Sequence, residues 1–328
     1  LLTPPRLLLF GAGHVGREVS AVCSRLGLAV HVVDDRAEWA NAERFPEAAG
    51  VPQWQKPGTM GPHPWKLAPP VPERIALGPG QVEVTETRVY GSHQKVTVQA
   101  GTRLRMGPGA SLIFVGPVHF AGTPQQPIEI HRASEHAWGG IALQGPATAG
   151  STLRHLRVSG GSRPSWRQVP YPAMVNIHDT ARVALEGCHL ARNAGQDDLL
   201  HAVYVQQLEV RDCSFARSGG DGMDLEFVDG LLRNVSLRQL GDDGLDLMGS
   251  RVSLVDSTII GCGGNGLSSG EQSEAHLQST LIAACRVGVL AKNASAVELS
   301  GSLLHENRTG VRIYKRTVRY GGDSEVRA

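Results

Sequence analysis

Four carboxylates form two pairs at a fixed interval in the second half of the chain, and a fifth lies beside them. A 22-residue step separates Asp221 from Asp243 and Asp224 from Asp246, and Asp242 directly precedes Asp243. If equal positions of successive repeats stack about 4.8 Å apart, these side chains form the densest acidic cluster of the sequence. Like charges that close raise one another's pKa, which keeps a carboxyl group protonated as a general acid at neutral pH. Two carboxyls about 6.5–9.5 Å apart could then perform inverting glycoside hydrolysis.

Two further roles are open to the same residues. Asp-Gly is favourable turn chemistry before a strand, so the carboxylates could be structural, with Asp224 and Asp246 facing solvent. Stacked carboxylates and turn carbonyls also offer the oxygen ligands that Ca²⁺ prefers. The candidate calcium ligands are Asp221, Asp224, Asp243 and Asp246. The residue types alone leave the structural, catalytic and calcium-binding roles open.

A 22-residue repeat would bring these carboxylates together. It is marked by five glycines that are spaced 22 residues apart: Gly222, Gly244, Gly266, Gly288 and Gly310. Apolar residues one and three positions after most of these glycines give the alternation of a half-buried strand. A second strand keeps the same step from Val210 through Leu232 to Leu254, then slips by one to Leu277. The repeat has no room for a helical crossover, so the pattern predicts a mostly β protein that winds as a right-handed parallel β-helix.

Further motifs extend this coil towards the N-terminus. They are Gly101-Thr102 with Gly109-Ala110, Gly122-Thr123 with Pro127-Ile128, and Trp138-Gly139-Gly140-Ile141. This part resembles right-handed β-helix domains of the pectin-lyase type in bacterial surface and exported proteins, over about residues 75–325. The resemblance implies the fold, whereas the chemistry stays open because β-helices host lyases, hydrolases, epimerases and adhesins.

Four short motifs resemble those of polygalacturonases, which are pectin hydrolases of this fold. Where that family has NTDG, GDD, GHG and RIK, this chain has Gly219-Gly220-Asp221-Gly222, Gly241-Asp242-Asp243, Gly264-Asn265-Gly266 and Arg312-Ile313-Tyr314-Lys315. The resemblance implies Asp221, Asp242 and Asp243 as catalytic carboxyls, with Arg312 and Lys315 as their basic partners. An asparagine replaces the family's histidine, two glycines replace its Asn-Thr, and a tyrosine splits the basic motif.

Two longer loops flank the repeats, at residues 160–172 and 193–200. The first carries aromatic and basic side chains, on which an acidic sugar polymer would stack and with which it would pair. The predicted substrate-binding residues are Arg163, Trp166, Arg167, Tyr171 and Asn265. An alternative is that Trp166 caps a small satellite core.

The first fifty residues follow a different pattern. An apolar strand, Leu7–Phe10, ends at a G-x-G-x-x-G motif formed by Gly11, Gly13 and Gly16. A helical pattern and a second apolar strand follow, and that strand ends at Asp34. In this order the motif predicts dinucleotide binding, with phosphate at the helix N-terminus and a ribose hydroxyl on Asp34.

Residues 7–49 resemble the Rossmann segment of XdhC-type accessory proteins of xanthine dehydrogenase, including Asp34-Asp35-Arg36 and the run at 41–46. The resemblance implies NAD(P) or molybdenum cofactor as a ligand. An alternative is a fragment that binds nothing, because one βαβ unit is only part of a doubly wound sheet. The sequence thus predicts a partial Rossmann unit at 1–50, a proline-rich linker at 51–74 and the β-helix at 75–328.

Composition excludes some partners. The chain has 32 basic and 31 acidic residues and no basic stripe along the sequence, which argues against nucleic acid. No apolar run is long enough to span a membrane. Five cysteines without a CxxC pair are expected to be free, and four of them buried.

Three functions follow as hypotheses. The leading one is a β-helix protein that binds an acidic polysaccharide and could cleave it as a hydrolase or lyase. The others are a non-catalytic surface or adhesion scaffold, and a nucleotide-binding accessory protein for molybdenum cofactor. The compartment stays open as well, because the coil favours the cell surface or exterior and the XdhC-like segment favours the cytoplasm.

Overall fold

A computed structural model describes residues 5–10, 12–34, 39–51, 72–315, 317 and 319–328. Its contacts divide the chain into two units, Leu1–Pro69 and Pro70–Ala328, each with its own apolar core. The predicted linker at 51–74 lies mostly outside the described residues, so its bounds stay a prediction. No helix in the described ranges is long and apolar enough to cross a membrane.

The first unit is a βαβ segment. Strand β1 (Arg6–Phe10) is followed by helix α1 (His14–Arg25) and strand β2 (Ala29–Val33), and the two strands pair in parallel. The helix ends just before Gly27, whose φ of +83° lies in the left-handed region that glycine adopts without a Cβ clash. Apolar side chains of β2 form the centre of the core. The predicted Rossmann-like segment is confirmed.

The second unit is built from short strands joined by tight corners, with a single 3-10 turn at Pro146–Thr148. Its strands in chain order are β3 (Glu73–Leu77), β4 (Gly80–Val84), β5 (Arg88–Tyr90), β6 (Gln94–Gln99), β7 (Thr102–Met106), β8 (Leu112–Phe114), β9 (Val118–Ala121), β10 (Ile128–Arg132), β11 (Ile141–Gln144), β12 (Ser151–Arg154), β13 (Leu156–Ser159), β14 (Ala173–Glu186), β15 (His189–Ala191), β16 (Asp198–Arg211), β17 (Ser214–Ser218), β18 (Met223–Arg233), β19 (Ser236–Leu240), β20 (Leu245–Met248), β21 (Arg251–Val255), β22 (Thr258–Cys262), β23 (Asn265–Gly270), β24 (Glu274–Gln278), β25 (Leu281–Ala283), β26 (Val287–Lys292), β27 (Ala296–Ser300), β28 (Leu303–His305), β29 (Thr309–Tyr314) and β30 (Glu325–Arg327).

These strands lie on three faces of a coil of about 12 turns. Sheet 1 contains β5, β8, β11, the first halves of β14, β16 and β18, then β20, β23, β26 and β29. Sheet 2 contains β3, β6, β9, β12, the second halves of β14, β16 and β18, then β21, β24, β27 and β30. Sheet 3 contains β4, β7, β10, β13, β15, β17, β19, β22, β25 and β28. All of these pairings are parallel, which confirms the predicted β-helix.

The 22-residue step is the distance between register partners in the second half of the coil. Met223, Leu245 and Leu267 are successive partners in sheet 1. In sheet 2, Leu254 pairs with Leu277, which is the predicted slip of one residue. Alternate side chains point into one continuous apolar core, and the five cysteines are free, with the four in the coil buried.

The repeated glycines are close-packed in the middle of the coil and open at its end. A Cβ on Gly244 would lie 2.5 Å from the carbonyl oxygen of Gly266 and would overlap Ile259 Cγ2, whereas a Cβ on Gly310 would meet no atom within 4 Å. We expect Gly244→Ala to lower the free energy of unfolding by about 1–3 kcal/mol, as overpacking does. Gly310→Ala is the matched control and should leave it nearly unchanged. Denaturant unfolding measures both variants, and equal midpoints would contradict the stacked register.

Candidate functional site

The outward face of sheet 1 carries several of the titratable side chains singled out in the sequence. Met223 and Leu225 point into the core, so Asp224 lies between them on the outside. Asp224 pairs in register with His201 on one side and with Asp246 on the other. Because neighbouring strands are about 4.8 Å apart, these three side chains form one outward row. The row contains the Asp224–Asp246 pair that the 22-residue step predicts.

A second row of carboxylates lies at the corner that precedes sheet 1. We call Asp198, Asp221, Asp243 and Asn265 the Asp ladder. The Asp221 N–H donates to Asp198 Oδ1 at 2.8 Å, and the Asp243 N–H donates to Asp221 Oδ1 at 2.7 Å. The Asn265 N–H donates to Asp243 Oδ1 at 2.6 Å. Each carboxylate therefore satisfies a backbone group of the next turn, which is the structural role that the sequence left open.

Asp243 and Asn265 are the most constrained members of this ladder. Asn265 Nδ2 donates to both carboxylate oxygens of Asp243, at 2.9 and 3.1 Å, and both side chains are buried. With both oxygens already accepting hydrogen bonds, Asp243 is poorly placed to exchange a proton with a ligand. The Nδ2 group of Asn265 is occupied by these hydrogen bonds to Asp243, so it is poorly placed to donate to a ligand. Asp242, by contrast, is exposed at the same corner.

Burial and neighbouring charge favour protonation of the Asp ladder. Desolvation, reinforced by Asp198 and opposed by the Asp243 N–H, raises the pKa of Asp221 to about 9. Desolvation also raises the pKa of Asp198 to about 6 and raises that of Asp243. Asp221 is therefore neutral at pH 7, and its Oδ2 takes no part in the ladder.

Two histidines lie beside the outward row on sheet 1. His178 Nε2 and His201 Nδ1 are 2.8 Å apart, and both rings are buried. Burial, together with the adjacent His201, lowers the pKa of His178 to about 3, so His178 is neutral and shares one hydrogen bond with its neighbour. His201 Nε2 lies 3.9 Å from Asp224 Oδ2 and 4.0 Å from Glu226 Oε1. We call His178, His201, Asp224 and Glu226 the His–carboxylate cluster.

The two carboxyls are the accessible part of this cluster. The side chains of Asp224 and Glu226 are 21% and 30% exposed, against 7% for His201. Desolvation raises the pKa of Asp224 to about 7, and the nearby His201 opposes that rise. Near neutral pH, Asp224 therefore populates both its protonated and its ionised forms, as a group that exchanges protons with a ligand must.

Within the ranges that the structure describes, two groups of side chains are close enough to hold a metal ion. The ligand atoms of Asp221, Asp242 and Asp243 lie within 4.8 Å of one another. The same holds for the ligand atoms of His201, Asp224 and Glu226. Ca²⁺ takes about six to eight oxygen ligands, and the first group fits it poorly because two of its carboxylates already accept hydrogen bonds within the ladder. The four carboxylates predicted to bind calcium are divided between two places, since Asp224 and Asp246 belong to the outward face of sheet 1.

The 160–172 loop packs against the coil. Tyr171 is 3% exposed, its ring contacts His178, and its hydroxyl donates to Gln144 Oε1 at 2.9 Å. Trp166 packs on the same small apolar cluster as Tyr171, which corresponds to the satellite core considered as an alternative. Tyr171 consequently has no free ring face on which a sugar could stack.

The predicted basic residues are exposed and fall in two groups, one in the 160–172 loop and one at β29. The Arg167 guanidinium is 4.7 Å from the Trp166 ring centre, and Arg163 Nε is 3.9 Å from an oxygen of Asp197. Arg312 continues the outward row of Asp246 three turns further on, which is about 14 Å at the strand spacing. Lys315 follows the end of β29. The structure therefore does not bring Arg312 and Lys315 to the acidic residues.

An aromatic pair at the edge of the same face was not predicted. Tyr204 and Phe227 stack with ring centres 5.0 Å apart, and their exposed fractions are 57% and 46%. They directly follow Val203 and Glu226, which are register partners on the outward face of sheet 1. The two rings are one residue further apart in the sequence than the 22-residue step of the glycines, so that period does not reveal them.

The nucleotide-binding residues predicted in the first unit are described in part. Gly11 lies outside the described residues. Gly13 caps the start of α1, where a Cβ would meet no atom within 4 Å, and Gly16 lies in the first turn of that helix. Asp34 is buried, and its Oδ2 accepts the Ala12 N–H at 2.7 Å. The carboxylate is thereby held against the glycine turn.

Arg44 is a further polar residue beside this turn. Its Nε donates to the Ala12 carbonyl at 3.2 Å, and its guanidinium lies 4.4 Å from the ring centre of Trp39. Arg44 Nη2 is buried and has no hydrogen-bond partner within the part of the chain that the structure describes. A buried cationic donor beside a helix N-terminus suits an anionic group. The residues present therefore fit a dinucleotide phosphate.

Comparison with known families bears on both units. Residues 7–98 match the family model described as the XdhC Rossmann domain. Residues 173–320 match the model described as the right handed beta helix region. Both resemblances are confirmed. A comparison with curated proteins gave no significant match.

The matched segments do not coincide with the structural units. The XdhC match runs to residue 98, although β3 to β6 pair within the coil. The β-helix match begins at residue 173, far beyond the first coil strand, which starts at Glu73. The early turns are therefore β-helical in structure, although the sequence match to that fold starts later.

Asp221 makes the stability of the coil depend on pH. Its pKa is 3.8 in the unfolded chain and about 9 in the fold, so the folded state binds the additional proton and loses stability as pH rises from about 4 to about 9. Asp221→Asn keeps an Oδ1 acceptor for the Asp243 N–H and cannot ionise. We expect its Tm at pH 8 to exceed that of the unmodified chain by at least about 2 °C, a change worth about 1 kcal/mol.

The difference in Tm between the two proteins should shrink towards pH 4. Thermal unfolding followed at several pH values measures it. Asp323→Asn is the control, because Asp323 is exposed and should leave Tm unchanged at each pH. The quantity to compare is the Tm of Asp221→Asn minus the Tm of the unmodified chain. If this difference were smaller at pH 8 than at pH 4, it would contradict the assignment of Asp221 as a protonated carboxyl.

Proposed function

We propose that the coil binds an acidic polysaccharide along the outward face of sheet 1 and hydrolyses it at the His–carboxylate cluster. The observation that carries the proposal is the position of Asp224 and Glu226. Both are partly accessible, and they lie on one strand beside a buried histidine pair. The match to a β-helix family is consistent with this function but does not specify it.

The aromatic pair supports carbohydrate binding. Tyr204 and Phe227 directly follow outward residues of sheet 1, so their exposed stack borders the face that carries Asp224 and Glu226. The two rings together present one apolar surface to the solvent beside these carboxyls. An aromatic ring offers a flat apolar surface to the C–H face of a sugar, and neighbouring carboxyls can bond its hydroxyls.

The charge of the face is compatible with a uronic acid polymer. Asp221 of the Asp ladder is protonated at neutral pH, and Asp224 of the outward row is partly protonated. Both rows are therefore less negative than their number of carboxyls suggests. A protonated carboxyl can also donate a hydrogen bond to a uronate. Arg163, in the loop that precedes β14, and Arg312, on β29, are exposed and add positive charge to the coil.

Hydrolysis requires one proton donor and one ionised carboxylate. In the proposed reaction, Asp224 donates its proton to the glycosidic oxygen as the anomeric C–O bond breaks, and the Glu226 carboxylate forms an ester bond to the anomeric carbon. A water then attacks this carbon and returns a proton to Asp224 as the bond to Glu226 breaks. Their nearest oxygens lie within 4.8 Å of each other, which is closer to the roughly 5–5.5 Å of retaining enzymes than to the 6.5–9.5 Å of inverting ones. The neutral His178 holds His201 in place behind both carboxyls.

Replacement of Asp224 tests the catalytic step. Asp224→Asn removes the transferable proton, and we expect the release of reducing ends from polygalacturonate or alginate to fall at least 100-fold, because general acids contribute about 10²–10⁴ in rate. Asp256→Asn, which changes an exposed acid paired with Arg233 on a different face, is the matched control and should be fully active.

Three results would contradict this proposal. Equal product release by Asp224→Asn and the unmodified chain would remove Asp224 from the reaction. Binding of the polymers without any product would leave the coil as a non-catalytic scaffold. The absence of binding to every uronic acid polymer would reject the proposed substrate class itself.

A second function is proposed for the first unit, which is nucleotide binding, and the buried Arg44 Nη2 supports it. We expect Arg44→Gln to weaken the binding of NAD⁺ or NADP⁺ to the full chain at least tenfold, because a charged hydrogen bond is worth about 1.5–3 kcal/mol. Arg25→Gln at the exposed end of α1 is the control and should bind as the unmodified chain does. Titration calorimetry measures the affinity, and the absence of saturable binding would identify the unit as an inactive fragment.

A further inference from the structure

The outward surface of sheet 3 contains a groove that belongs to none of the sites described above. Its volume is about 770 Å³, and it is lined by residues of β10, β13, β15, β17, β19 and β22 and of the corners that follow them. The groove thus runs along the coil axis, across successive turns. Its volume lies within the range of about 300–1,000 Å³ that is typical of small-ligand sites.

Small residues form the floor of this groove. Ser159, Ala191 and Ala216 are successive register partners on the outward face of sheet 3. The next partner in this row is Arg238, which stands at one end. Because three successive turns present no long side chain at this position, the row leaves a channel between the larger residues on either side.

Basic side chains stand on both sides of the floor. Arg157 and His189, which are register partners, lie on one side. Arg192, directly after β15, and Arg217, near the end of β17, lie on the other side, where their φ values are +55° and +61°. Arg192 and Arg217 occupy equal positions in neighbouring turns, so their backbones are separated by about 4.8 Å.

Three of the arginines in the lining lack the acidic partners that many arginines elsewhere on the coil have. Among the described residues, no ion pair involves Arg192, Arg217 or Arg238. Glu129 is the acidic residue in the lining, and it pairs with Arg103 at 3.2 Å and with Arg157 at 3.9 Å.

On sheet 2, several arginines are paired with acidic residues. Arg211 lies 3.0 Å from Glu209, and Arg233 lies 3.0 Å from Asp256. Unpaired cations that converge on one concave surface concentrate positive potential there. The groove on sheet 3 therefore combines unmatched positive charge with a defined shape.

We propose that this groove binds an acidic oligosaccharide whose carboxylates pair with Arg192, Arg217 and Arg238. Guanidinium groups bind carboxylates through two parallel hydrogen bonds, which gives geometric selectivity in addition to attraction. A sugar-acid chain can present one carboxylate at each coil turn, and Ser159 and Gln239 in the lining can bond its hydroxyls. The lining contains no Phe, Tyr or Trp among the described residues, so it lacks the stacking surface on which nucleic acid bases are bound.

The site lies on a different face from the His–carboxylate cluster and does not depend on any reaction there. The test is titration calorimetry of the full chain with a galacturonate trisaccharide. It is performed in the Asp224→Asn background, so that hydrolysis on sheet 1 cannot consume the ligand. Arg192→Gln/Arg217→Gln should raise the dissociation constant at least tenfold and make it less dependent on salt concentration.

The matched control is Arg211→Gln/Arg233→Gln. These two arginines are also register partners on neighbouring turns, and they should be replaceable without effect on the trisaccharide affinity. Equal weakening by both double variants would show a general charge effect and overturn the site. Unchanged affinity in Arg192→Gln/Arg217→Gln, or equal binding of a neutral galactose trisaccharide, would overturn it as well. Because the readout is affinity, the absence of cleavage on sheet 1 leaves the result interpretable.

Discussion

Hydrogen bonding between successive turns is the constraint on which the rest of this structure depends. Within the sheets, the backbone supplies both partners, but at the corners side-chain oxygens accept N–H groups that would otherwise be buried and unpaired. Along one corner, Ser250, Ser273 and Ser295 accept the N–H of a residue one turn earlier at 2.9–3.2 Å. The Asp ladder performs the same task along another corner. The carboxylates of the Asp ladder thus serve the hydrogen-bonding requirement of the backbone at this corner.

A ladder of carboxylates has an electrostatic cost that a ladder of hydroxyls does not have. Serine is neutral, whereas Asp198, Asp221 and Asp243 place like charges one turn apart in a partly buried corner. Desolvation, reinforced by the charge of Asp198, raises the pKa of Asp221, and protonation relieves both costs. Asp198 of this corner is also among the charges that raise the pKa of Asp224 on the adjacent sheet, after desolvation. The charge of the ladder therefore influences the carboxyl to which we assign the proposed chemistry.

The sequence predicts the fold well because a parallel coil fixes its register by residue count. The 22-residue step correctly makes neighbours of Asp224 and Asp246. It does not reveal His201 beside Asp224, because the intervals from Asn176 to His201 and from His201 to Asp224 are both longer than this step. The corners accommodate the additional residues, so the strands stay stacked although the interval between register partners is no longer 22 residues. The burial of Tyr171 was not predictable for another reason, since it depends on apolar outward residues of β8 and β11.

The coil also shows how a nearly neutral chain can carry strongly charged surfaces. Its 32 basic and 31 acidic residues almost cancel, yet the position of a residue within a turn decides on which face it lies. Carboxylates collect on sheet 1 and unpaired arginines on sheet 3. Arg192, Arg217 and Arg238 come from three different turns, so no stretch of sequence is basic enough to indicate the groove. Net charge limits the partners of a protein whose charges are evenly mixed over its surface, and a three-faced coil separates them instead.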